Sequence, residues 1–128
     1  MKAVDTNVLV RVLTRDDPEQ ARAAAEVMRS GPVFIACTVL LETEWVLRHA
    51  YGFDRAEIGR ALRALVDLTG VVVDGEAAVR SALAWHASGI DLADALHLAR
   101  SADADELVTF DRRFAKRAEG VARVRLLG

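Results

Sequence analysis

Short, unbroken apolar runs separated by helix-length segments constrain this chain more than any other feature. Met1–Val4, Val33–Ala36, Val71–Val73 and Leu107–Thr109 read as short strands with little polar alternation, and Val121–Leu127 carries a last one. Between them, amphipathic stretches carry helix start and stop signals. Pro18 is suited to a first helical turn, with Asp16 or Asp17 as its cap and Gly31-Pro32 as the stop. Thr38, Asp54, Asp74 and Asp91 open further helices, and Asp111 opens a short basic one. Strands that do not alternate, each followed by a helix, predict a parallel sheet covered by helices on both faces, an α/β class. At 128 residues and 52% apolar content, the chain predicts one domain over residues 1–128 with its own core.

In folds of this kind ligands bind beyond the carboxyl ends of the strands, and four acids fall near such ends within apolar surroundings. Asp5 closes the first run, Glu42 interrupts Val39-Leu40-Leu41, Asp94 lies within Leu92-Ala93-Asp94-Ala95-Leu96, and Asp111 follows Leu107-Val108-Thr109-Phe110. An ionised carboxylate in apolar surroundings is costly unless paired. Clustered carboxylates repel one another, and a hard cation such as Mg2+ removes that repulsion. No Cys/His spacing suggests zinc, and neither a Gly-rich phosphate loop nor a Gly-x-Ser-x-Gly elbow is present.

Each acid has a simpler structural role to set beside the cation reading. Asp5 suits an Asx turn or the cap of a helix beginning near Asn7. Glu42 shares a helix face with Val39, Trp45, Val46 and His49, so it is either neutralised by His49 or turned into a cleft. Glu44 stands four residues before Arg48 and predicts a solvated surface ion pair. Asp91 and Asp94 are spaced as a cap and a first-turn acid; Asp91 alone supplies the cap and releases Asp94 for other work. Asp111 suits the cap of Arg112–Arg117, whose Arg112, Arg113 and Lys116 are candidates for positioning a phosphate backbone.

The formal net charge of −2 supplies no global basic field, so any nucleic acid must be held by local contacts. Cys37 is the only cysteine, which excludes an internal disulfide and fits a reducing compartment. No apolar stretch is long enough to span a bilayer, and Asp5 interrupts the position of a secretory apolar segment; a soluble cytoplasmic protein is expected.

Val4-Asp5-Thr6-Asn7-Val8-Leu9, Leu41-Glu42 with Trp45-Val46-Leu47, the Asp91–Ala99 block and Leu107–Phe114 together resemble the PIN-domain ribonucleases. Within them the chain is most similar to the VapC-like toxins of type II toxin–antitoxin pairs. The resemblance implies a three-layer sandwich with a five-stranded parallel sheet between helices. It implies an endoribonuclease dependent on Mg2+ or Mn2+, and a homodimer held inactive by a cognate antitoxin. It maps the family's acids onto Asp5, Glu42, Asp94 and Asp111, with Thr6, Asn7 and Thr109 as small polar residues around the site. Asp5 and Asp94 would be the main metal ligands, Asp111 would complete the set, and Glu42 would join it or position water. Two alternatives stay open: a phosphoacceptor receiver domain, which shares the length and the acidic pocket, and a non-catalytic PIN-like module that binds RNA or protein.

Overall fold

The computed structural model describes residues 1–128. Seven helices and five strands alternate along the chain, confirming an α/β fold. The chain divides into two compact units, Met1–Glu76 and Ala77–Gly128.

In the first unit, strands β1 (Lys2–Ala3), β2 (Val33–Ile35) and β3 (Val71–Val73) form a parallel sheet in that order. Lys2 pairs with Val33 and Ala3 with Phe34; Val33, Phe34 and Ile35 pair in turn with Val71, Val72 and Val73. Helices α1 (Thr6–Thr14), α2 (Pro18–Arg29), α3 (Cys37–His49) and α4 (Arg55–Asp67) complete it, with α1 against α2 and α3, α3 against α4, and α4 against β3. Leu9, Ile35, Leu47, Ile58, Leu62 and Leu65 are fully buried.

Local chemistry explains the helix starts. Asp17 accepts from Gln20 N at 3.1 Å, with Pro18 just inside the helix. Asp54 and Glu57 form a reciprocal capping box at 2.8 and 2.9 Å. Thr38 does not cap α3: the helix begins one residue earlier, at Cys37, and its cap position Ala36 makes no side-chain hydrogen bond. Arg11, Asp16, Gln20 and Tyr51 tie the α1–α2 corner to the end of α3. Tyr51 donates to Asp16 at 2.6 Å, and Arg11 reaches Asp16 at 2.9 Å and Gln20 at 2.6 Å.

In the second unit, α5 (Glu76–Ala87), entered from its Glu76 start, and α6 (Leu92–Ala99) precede β4 (Leu107–Thr109), α7 (Arg112–Arg117) and β5 (Val124–Leu126). β4 and β5 are parallel, Leu107 opposite Val124 and Thr109 opposite Leu126, and α7 packs on β5. Gly89, in the α5–α6 turn, is favoured on two grounds: its φ of 117° is one that L side chains rarely adopt, and an added Cβ would meet Arg117 Nη1 at 3.1 Å.

The five parallel strands are thus present, but as a three-stranded and a two-stranded sheet, not the single five-stranded sheet implied by the resemblance. Two or three residues per strand supply very few ladder hydrogen bonds, and β1, at a sheet edge, has two exposed residues. Burial is also less complete than the apolar runs predict. β2 has Val33 and Ile35 buried, whereas Val72 of β3 and Val108 of β4 are each 43% exposed.

Candidate functional site

The first unit places Asp5 and Glu42 beyond the carboxyl ends of neighbouring parallel strands. Two residues after β1, Asp5 adopts an extended conformation and caps α1, its Oδ1 accepting from Val8 N at 3.3 Å. The cap uses one carboxylate oxygen and leaves Oδ2 for a ligand or solvent. Thr6 follows with its side chain buried, and its hydroxyl donates to Glu42 Oε1, which fixes the α3 carboxylate against the start of α1. Asn7 is exposed and lines a shallow groove of about 250 Å3 with Val8, Arg11 and Gln20.

Glu42 and Glu44 exchange the surroundings that the helix wheel suggested. Leu40, Thr43, Glu44 and Leu47 form the buried face of α3, with Glu44 only 3% exposed; Glu42, Trp45 and His49 lie on the solvent side. The expected Glu44–Arg48 pair is present, bidentate at 2.7 and 3.1 Å, but it is the anchor of a buried carboxylate and not a surface pair. The buried helix face is narrow, about 100° wide, and the adjacent apolar residues did not reveal which glutamate it contains. His49 does not neutralise Glu42: it stacks on Trp45 with ring centroids 4.5 Å apart, while Thr6 holds the carboxylate.

The second unit gathers three acids. Asp91 caps α6, accepting from Ala93 N at 3.1 Å. Asp94, in the first turn, is half-buried. Burial pushes its carboxyl above the ordinary range, the charges of Asp91 and Asp111 push it further, and His97 opposes them. Asp111 caps α7 through Oδ1, which accepts from Phe114 N at 2.9 Å, and Thr109 Oγ1 receives the Asp111 backbone N–H at 3.0 Å. Capping and proximity to Asp94 therefore coexist at Asp111. Of the basic side chains on α7, Arg112 donates to the Gly128 carbonyl at 3.1 Å and Arg117 to the Gly89 carbonyl, while Arg113 and Lys116 are exposed.

Within neither unit do three Asp, Glu, His or Cys side chains form a group able to hold a metal ion. The donor chemistry nevertheless fits a hard divalent cation: every candidate ligand is a carboxylate, and the repulsion on Asp94 is of the kind that a cation relieves. The Thr6 clamp on Glu42 and the Trp45–His49 ring pair had no signature in the sequence beyond residue type, because both depend on which faces of α1 and α3 are turned outward.

The PIN domain family model matches residues 2–120, and the chain belongs to the PIN domain family. PIN domains are generally nucleases and typically use divalent metal ions. The match sets aside the phosphoacceptor receiver. Comparison with curated proteins gave no match. No helix is long and apolar enough to cross a membrane.

Proposed function

We propose that this protein is a metal-dependent endoribonuclease, a single PIN-like domain over residues 1–128, acting as the toxin of a type II toxin–antitoxin module. The observation that carries the nuclease reading is the PIN domain match over residues 2–120; Asp94, a half-buried carboxylate in the first turn of α6 near Asp91 and Asp111, is its central candidate ligand. A family match that runs across both units supports the single-domain reading. The toxin role, a homodimer, a cognate antitoxin and a cytoplasmic location rest on the motif resemblance alone.

The motif resemblance makes Asp5 and Glu42 of the first unit, and Asp94 and Asp111 of the second, the candidate ligands of Mg2+ or Mn2+. Bound there, the ion would lower the pKa of a water and offset charge on the phosphate oxygens. The chain's own residues supply the rest. Thr6, by donating to Glu42, orients that carboxylate to receive or direct the proton of the attacking water. The caps made by Asp5 and Asp111 fix their backbones and so restrict their rotamers. Thr109 braces Asp111 in the same way. Asn7 offers an exposed amide beside the Asp5 cap. Arg113 and Lys116 position the RNA backbone, with Arg112 sharing its guanidinium with the Gly128 carbonyl.

Purified protein incubated with total RNA, with and without Mg2+ or Mn2+, tests this. Metal-dependent appearance of discrete fragments is expected, and Asp5→Asn should abolish it while leaving the circular-dichroism spectrum and Tm close to wild type. Full activity of Asp5→Asn would reject the site. RNA binding without cleavage under any divalent ion would leave the non-catalytic module as the reading.

A further inference from the structure

Of the four Phe, two Trp and one Tyr in the chain, only Trp45 and Phe110 are exposed, at 55% and 77%. Each adjoins a candidate acid: Trp45 lies three residues after Glu42, and Phe110 immediately precedes Asp111. A large ring left partly in water forgoes some of the burial that usually stabilises it, and both of these rings lie beside a candidate acid in sequence.

Trp45 is the better defined of the two. Its indole packs against the exposed His49 ring with centroids 4.5 Å apart and planes tilted by 41°. Glu42, Trp45 and His49 stand at i, i+3 and i+7, one face of α3, opposite the buried face of Leu40, Thr43, Glu44 and Leu47. Along the helix axis Trp45 is about 4.5 Å from Glu42, less than the span of one nucleotide.

We propose that the Trp45–His49 ring pair is a stacking platform for an unpaired base next to the phosphate that Glu42 serves. This deepens the ribonuclease reading and rests on it. The chain's charge favours such a contact. A net charge of −2 supplies no global attraction for phosphate, so local contacts, a base on a ring among them, carry the affinity. Stacking on an aromatic face is tolerant of sequence and requires a base free of its partner. The platform therefore selects single-stranded or looped RNA over duplex.

The test uses the full chain with a short single-stranded oligoribonucleotide, in Ca2+ to slow turnover, and follows tryptophan fluorescence. The Trp45 contribution is taken as the difference between wild type and Trp45→Phe. Quenching by the single strand is expected, with little from the same sequence as a duplex or from a ribose-phosphate oligomer lacking bases. Trp45→Ala should bind on the order of 10- to 100-fold more weakly, with Trp45→Phe recovering most of the loss. Because Trp45 is exposed, neither variant should unfold the helix, and Tm checks this. Cleavage by wild type with an unchanged KM in Trp45→Ala would overturn the platform while leaving the ribonuclease reading standing. Quenching by single strands without cleavage in Mg2+ or Mn2+ would support the platform and reject the ribonuclease. A Trp45→Ala protein with unchanged RNA binding but a smaller sedimentation coefficient would overturn the proposal in favour of a protein contact.

Discussion

Replacing Glu44 and Glu42 separately with Gln separates structural from functional acidity on one helix. Glu44 is 3% exposed and receives two Arg48 hydrogen bonds at 2.7 and 3.1 Å. Hydrogen bonds to charged groups contribute about 1.5–3 kcal/mol each, which sets an upper bound of roughly twice that for the pair. Two features reduce it. The Arg48 side chain is 42% exposed and regains water when released, and Gln retains one acceptor of the same shape while avoiding the cost of a buried charge. The net loss for Glu44→Gln is about 1–2 kcal/mol, a Tm lower by roughly 3–8 °C for a chain of this size. Glu42 is exposed, and its Gln analogue still accepts from Thr6, so Glu42→Gln should stay within about 0.5 kcal/mol of wild type. Activity should reverse the order. Glu42→Gln loses on the order of 100-fold or more in metal-dependent RNA cleavage, and Glu44→Gln, assayed well below its Tm, keeps most of it. Thermal unfolding followed by circular dichroism and a fluorogenic RNA assay read both. Equal Tm values for the two variants, or normal cleavage by Glu42→Gln, would refute the assignment, and a double-mutant cycle of Glu44→Gln with Arg48→Gln would locate the error.

Asp94→Asn should make the metal-free protein more stable at neutral pH while abolishing cleavage. The folded carboxyl is raised above its ordinary 3.8, so its charged form opposes folding, and the wild-type deficit should close as pH falls through the folded pKa and below 3.8. Mg2+ or Mn2+ should raise the wild-type Tm, by about 2.7 kcal/mol of stabilisation at one hundred times its Kd, and should raise that of Asp94→Asn far less; equal shifts would remove Asp94 from the ligand set. Tyr51→Phe should lower Tm at neutral pH, because the Tyr51 hydroxyl is the largest influence holding Asp16 below its ordinary 3.8. A depressed carboxyl stabilises above the unfolded pKa and loses that contribution as pH drops, so the gap between Tyr51→Phe and wild type should narrow below 3.8 in acid titrations of Tm; a gap independent of pH would point to ring packing instead.

The candidate acids were legible in the sequence because strand ends and helix caps leave local signatures. Asp5 after an apolar run and Asp54, Asp91 and Asp111 before helical stretches all read directly as caps, and each caps in the structure. Glu44 and Thr38 were misread for a shared reason. Rotation of α3 about its axis decides which glutamate is buried, and the register of its first turn decides which residue precedes it; neighbouring apolar residues constrain both only loosely.

By itself the sequence determined the α/β alternation, the helix starts capped by Asp5, Asp17, Asp54, Asp91 and Asp111, the absence of an internal disulfide and the set of carboxylates available to a cation. These depend on residue type and on spacing within one element. The tertiary structure decided that five short parallel strands divide into sheets of three and two, that Thr6 reaches Glu42 across 36 positions, that Asp94 feels Asp91 and Asp111, and that Trp45 and Phe110 face water. Those outcomes are settled by packing between elements distant in the chain, where burial and Coulomb repulsion act over distances in space and not along the sequence.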